Sequence, residues 1–197
     1  MTRESRHHPL GHSPTGSLLL GERSPDRGWD LLVVDLSTDP PTVTNYLRAD
    51  WNESMAALSS DGRIVAYVSD ERGADRISLR RFPEPGEAVA IALDGATEPR
   101  WAPDQSAVYF RAAGSIWRAS VTPDGAIEVG APEMMFEDRW LTTIGSRRSA
   151  NWDVDPDGAS FIFVGTESGT DEDLNVPVIP VVIVANWFTD LRERMGG

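Results

Sequence analysis

The chain contains no cysteine and no lysine, and its three histidines all lie before residue 13. Without cysteine there is no disulfide framework, no thiolate zinc site and no Cys nucleophile. Without lysine there is no Walker-A phosphate loop and no ATP-contacting kinase strand, and Schiff-base chemistry goes with them. Long apolar runs are missing too. The most apolar stretch, Val176 to Phe188, is interrupted by Pro177 and Pro180, is too short to span a bilayer and reads as a buried strand. Met1 to Ser13 holds arginines and histidines but no apolar core of a signal peptide. Positive charge is scarce: 18 basic residues, all arginine, stand against 31 acidic ones, for a formal net charge of −13. That balance argues against binding nucleic acid or an anionic membrane surface, both of which need cationic neutralisation of phosphates.

What is present is a chain of 197 residues, 40% hydrophobic and 25% charged, rich in Trp (7), Pro (14) and Gly (17). Many short strands joined by turns account for that composition, and a repeat is visible. Four turn tetrapeptides each precede an apolar strand: Ser13-Pro14-Thr15-Gly16 before SLLLG, Ser59-Ser60-Asp61-Gly62 before RIVAYVS, Ala102-Pro103-Asp104-Gln105 before SAVYFR, and Asp155-Pro156-Asp157-Gly158 before ASFIFVG. Their last positions are spaced by 46, 43 and 53 residues, near the blade length of four-stranded propeller repeats. Proline presets the second turn position, Asp caps its own backbone, and Gly takes the corner with positive φ. Gln105 in place of Gly predicts a strained third turn or a turn of another type.

A second strand follows in three units (Trp29 to Leu36, Arg76 to Phe82, Ser115 to Val121), then a weak third (Val43 to Leu47, Ala88 to Leu93, Ala126 to Val129). Strands ahead of the turns, Ser54 to Leu58, Glu98 to Ala102 and Asn151 to Val154, are expected to be innermost and to line a central channel. Trp101 and Trp152 fall there and are expected to pack blade against blade. Residues 1–11 read as a disordered tail and 12–197 as blades. The chain is expected to close on a strand and a short helix, Thr189 to Met195, packed through Trp187, Phe188 and Leu191. The fold expected is therefore all-β, a propeller of about four blades, partial or open.

The stretches NYLRADWNESMAALSSDGRIVAYVSDERG, ISLRRFPEPGE, GATEPRWAPDQSAVYFRAAGSIWRASV, GAPEMMFED, WDVDPDGASFIFV and VVIVANWFTDL occur in that order. Together they resemble the TolB-like, WD-repeat-like propeller region at the C-terminus of bacterial Ser/Thr protein kinases. The resemblance covers about Tyr46 to Met195, and more weakly Gly11 to Leu36. It implies a sensory or interaction propeller, usually of six blades or more, tethered to a kinase and placed outside the cytoplasm. This chain departs from the pattern in having no kinase domain, no membrane helix and about four blade motifs. By its own signals it would be cytoplasmic. The expectation is a C-terminal portion of a longer protein, an incomplete gene product, or an open array whose edge strands invite pairing with another chain or a second copy.

Other constellations fail on chemistry. Asp153-Val-Asp155-Pro-Asp157-Gly158 mimics the start of an EF-hand loop, but the twelfth position is Val164 where Glu is required. The run Asp171-Glu172-Asp173 reads as a solvated loop. His7, His8 and His12 are separated by Pro9 and Gly11, which oppose a common helical face. Gly165-Thr-Glu-Ser-Gly169 has Glu where a serine hydrolase places its nucleophile. Arg80-Arg81 and Arg147-Arg148 are expected to meet carboxylates on neighbouring blades, or else a phosphate or acidic peptide. No catalytic, cofactor or metal motif remains. The expected function is a non-catalytic binding, sensory or scaffold module that acts through the channel mouth, where Glu53, Glu98, Arg100 and Asn151 stand at strand ends. The alternatives are a TolB-like envelope transport component, or a hydrolase or lyase using channel-mouth carboxylates as acid and base.

Overall fold

The computed structural model describes residues 6–26, 28–138, 150–158, 160–164 and 181–185. Every regular element among them is a β-strand, arranged as four consecutive antiparallel sheets. Blade 1 is β1 (Arg6–His12), β2 (Ser17–Ser24), β3 (Gly28–Asp35) and β4 (Thr42–Leu47). Blade 2 is β5 (Glu53–Leu58), β6 (Ile64–Ser69), β7 (Arg76–Arg81) and β8 (Val89–Ala90). Blade 3 is β9 (Thr97–Trp101), β10 (Ala107–Ala112), β11 (Ser115–Thr122), β12 (Glu128–Val129) and β13 (Glu133–Glu137). Blade 4 is β14 (Trp152–Val154), β15 (Ser160–Val164) and β16 (Val181–Ala185).

The four turns explain the repeat. In each, the amide of the fourth residue donates to the carbonyl of the first: Gly16 to Ser13, Gly62 to Ser59, Gln105 to Ala102 and Gly158 to Asp155, at 2.8–3.1 Å. Each fourth residue has positive φ, from 62° to 91°. Gln105 keeps the shared turn and accepts the left-handed conformation at φ 62°, so the turn is strained and its type unchanged. The turn residues also pack across blades. A Cβ on Gly62 would lie 2.8 Å from Pro14 Cδ of the preceding turn, and one on Gly158 would lie 3.7 Å from Pro103 Cδ.

Two expectations need correction. Residues 6–11 are not a disordered tail: with His12 they form β1, paired to β2 from Arg6↔Arg23 to His12↔Leu18. Every turn follows an inner strand, and β1 is that strand for the first turn; it brings His7 within 3.5 Å of Glu22 and sets the His8 ring 5.7 Å from that of Trp29, tilted by 36°. Second, the outer edge of blade 3 is composite. The short β12 pairs with Val121 and Thr122, and β13 then pairs with Ser115 to Arg118 of the same strand. The closing helix at 189–195, Arg147-Arg148 and the acidic run 171–173 lie outside the described residues.

The core lies between blades. Leu19, Leu31 and Val33 of blade 1 meet Ala56, Val65 and Tyr67 of blade 2. Ile64, Ala66 and Val68 on the opposite side of β6 meet Val108 and Phe110 of blade 3. Tyr109 and Ile116 then meet Trp152, Phe161 and Phe163 of blade 4. A middle strand is thus buried on both faces, which is why IVAYVS and AVYFRA read as unbroken apolar runs rather than alternating ones. The inner strands touch in sequence, β1 against β5, β5 against β9 and β9 against β14. Trp101 ties two of them, its Nε1 donating to Ala57 O at 3.0 Å, while Trp152 stacks within blade 4 on Phe163 at 6.0 Å.

Candidate functional site

The four tight turns emerge at one end of the blades. The starts of β5, β9 and β14 and the ends of β6 and β10 lie at the other, the entry face. Toward this face the inner strands of blades 1 to 3 lose register, between Pro9 and Gly11, between Ser54 and Ala57, and opposite the step from Tyr109 to Arg111. Met55 (φ 49°) and Glu98 (φ 55°) occupy equivalent bulge positions, each left-handed without being glycine. A residue in that conformation costs roughly 1–2 kcal/mol, and bulges are a common way to re-aim a side chain at a functional rim.

Glu98 is aimed at Arg111. The Arg111 Nη1 atom lies 2.5 Å from Glu98 Oε2 and donates to Asn151 Oδ1 at 2.9 Å, while its Nε lies 2.5 Å from Asp138 Oδ2. Arg111 is 5% exposed and Asp138 8%. Asp138 is fixed through its amide, which donates to Gly114 O at 2.9 Å. One guanidinium therefore joins the inner strand of blade 3, the end of its outer edge, and the residue that opens blade 4. Charge-assisted bonds of this kind are the strong class of hydrogen bond, and they set the rim's geometry in advance of any ligand.

Of the residues expected at the mouth, the structure brings Glu98 and Asn151 together. Arg100 lies deeper: its Nε donates to Trp152 O at 3.2 Å and its Nη1 to Pro99 O at 3.0 Å. Burial presses its pKa below the usual arginine value, opposed by Asp153 and Glu98, and it serves as a strap between blades 3 and 4. Glu53 is 3% exposed and sits apart, in the joint between blades 1 and 2. Burial and the neighbouring Asp30 push its carboxyl up to about 7. Arg111 and Asp138 carry no motif, yet a lone arginine inside the apolar run AVYFRA was a signal, since a charge in a doubly buried strand needs partners. Arg80 and Arg81 meet carbonyls and a hydroxyl: Arg81 reaches Pro123 O at 2.8 Å, and Arg80 reaches Tyr67 Oη at 2.9 Å and Gly86 O at 2.6 Å. On the turn face a cleft of about 670 Å³ opens between blades 3 and 4, walled by Pro103, Asp104, Tyr109, Arg118 and Glu133.

Known proteins match this architecture. TolB from Acinetobacter baumannii aligns with a TM-score of 0.57 and 16% identity, covering 92% of this chain and 43% of TolB. An oligogalacturonate lyase from Vibrio parahaemolyticus aligns with a TM-score of 0.57 and 15% identity, covering 91% of this chain and 48% of the lyase. The fold is a TolB-like β-propeller. In sequence, the chain is 32% identical over 106 residues to lipoprotein LpqB of Rhodococcus opacus (strain B4), and 31% identical over the same length to LpqB of Rhodococcus jostii (strain RHA1). Each match takes in 48% of this chain and spans 16% of the lipoprotein. No family model matches the chain.

Proposed function

We propose that this propeller is a non-catalytic binding or scaffold module whose ligand meets the entry-face rim formed by Glu98, Arg111 and Asn151. The observation that carries the reading is the buried guanidinium of Arg111, which fixes polar groups from two successive blades in one place. Around it, Glu98 and Asp138 are both engaged by the same cation, an arrangement suited to holding a shape. The ligand class is polar and rich in hydrogen-bond donors, because the rim's partly exposed group is a carboxylate. A thermal-shift screen of oligosaccharides and short peptides tests this. The expected ligand raises the Tm of the wild type and leaves the Tm of Glu98→Gln unmoved; a shift that survives in Glu98→Gln places the site elsewhere.

The enzyme reading draws on the shared fold with the oligogalacturonate lyase, and turnover of that substrate, abolished in Glu98→Gln, would overturn the non-catalytic one. A role in an envelope transport complex draws in the same way on the fold shared with TolB. Placement outside the cytoplasm is supported by the similarity to a lipoprotein. Among the described residues no helix is long and apolar enough to cross a membrane. Attachment to a Ser/Thr kinase rests on the sequence motifs alone. Pairing of open blade edges with a second copy is part of the same proposal, and the mass of the chain in solution tests it.

A further inference from the structure

The joint between blades 1 and 2 holds its charges differently from the joint between blades 3 and 4. Glu53 opens β5 beside β3, where Asp30 is 1% exposed. Trp51 donates to the Glu53 carboxylate, whose Oε2 is buried without a partner. The cations nearby are engaged elsewhere or distant. Arg80, on β7, donates to Tyr67 Oη and Gly86 O, and Arg48 approaches Asp30 at 3.9 Å from an exposed position. Asp70, after β6, accepts from the Asn52 amide and from Asn52 Nδ2, both at 2.7 Å, and Asn52 Oδ1 in turn accepts from Trp29 N at 3.1 Å. That Asn52 lock ties the start of β3 to the chain just ahead of Glu53. From β1, His8 faces Trp29, and from β2, Glu22 faces His7. β9, against the other side of β5, commits Glu98 to Arg111 and turns Arg100 toward blade 4.

We propose that this joint is a pH-responsive latch, closed while the Glu53 carboxyl carries a proton and loosened once it ionises beside Asp30 and Asp70. A buried carboxylate with an unpartnered oxygen and two acidic neighbours is costly, and giving it a proton removes both the desolvation and the repulsion. The direction follows from linkage. The folded carboxyl titrates at about 7 and an unperturbed one at 4.5, so between those values the folded chain holds a proton that the unfolded chain has lost. Stability contributed by this group is full below pH 4.5, falls as pH rises toward 7, and is gone above it.

The test compares wild type and Glu53→Gln by urea unfolding from pH 4 to 8.5, with amide exchange at pH 6 and pH 8 corrected for intrinsic rates. The wild-type unfolding constant is expected to rise, relative to that of the variant, by about tenfold or more between pH 4.5 and pH 8, since each unit of pKa difference is tenfold. Exchange in the wild type accelerates at pH 8 in β3 and β5 and not in β10, and Glu53→Gln abolishes the difference. A constant ratio across the range, or acceleration spread evenly over all blades, overturns the proposal. Should Glu53→Gln fail to fold, carbon NMR of the wild-type Glu53 carboxyl decides: a midpoint near 7, lowered by Asp30→Asn, supports the latch, and a midpoint near 4.5 overturns it.

Discussion

The joints between blades 1 and 2 and between blades 3 and 4 use one backbone plan with opposite electrostatics. In the second, Arg111 sits six residues beyond the turn corner and gathers Glu98, Asp138 and Asn151. In the first, Glu53 is buried with no cation bonded to it among the described residues. The turn face reverses the contrast: Gly62 is pressed against Pro14 in the first joint, whereas Gly158 has ordinary contact with Pro103 in the second. The joint that is tense at the mouth is tight at the turns, and the pinned one is loose there.

Removing the pin is the strongest way to break the comparison. Arg111→Met removes the cation that bonds both Glu98 and Asp138, and losing one partner of a buried pair costs about 3–5 kcal/mol. Urea unfolding is expected to show that loss. Adding Glu98→Gln and Asp138→Asn to the same chain should restore most of it, because the penalty is that of uncompensated charge. A triple variant as weak as the single one would mean that Arg111 acts through packing alone.

The turn face sharpens the comparison at smaller cost. Gly62→Ala meets two penalties, the left-handed φ of 70° and the approach to Ser13 Oγ at 2.6 Å and Pro14 Cδ at 2.8 Å. Backbone strain and overpacking together predict a loss of roughly 2–4 kcal/mol. Gly158→Ala meets only the backbone penalty and should lose about 1–2 kcal/mol. Chemical unfolding of the two variants reads the difference between the joints directly, and equal losses would show that the Pro14 contact relaxes.

Most of the blade plan was legible because it is local. Turn corners need glycine or its substitute, and strands buried on both faces need continuous apolar runs; both leave their mark within a dozen residues. β1 was hidden because Arg6, His7, His8 and Pro9 make a polar strand, although the repeat itself demands an inner strand before every turn. The site was legible in part. Glu98 and Asn151 followed from their place at strand ends, whereas Arg111 and Asp138, 27 residues apart in sequence, meet only through strand pairing. Glu53 was correctly placed at the start of an inner strand, but its burial depends on blade 1 covering it, and no pattern within β5 states that.

The joint between blades 2 and 3 offers the finest test, because its turns break the Pro–Gly pairing at both ends. Where Pro14 and Pro103 pack on the glycine of the next turn, blade 2 has Ser60, and the corner that follows is Gln105 instead of glycine. Without a proline ring above it, that corner has room for a side chain, so only the backbone pays for Gln105 at φ 62°. Gln105→Gly should therefore stabilise the protein, by about 1 kcal/mol or less, the relief of a left-handed residue being offset by the added freedom of glycine in the unfolded chain. Thermal unfolding of this variant beside Gly158→Ala measures one backbone term from both directions. A Gln105→Gly protein less stable than the wild type would mean that the Gln105 side chain makes a contact across the joint that replaces the missing proline.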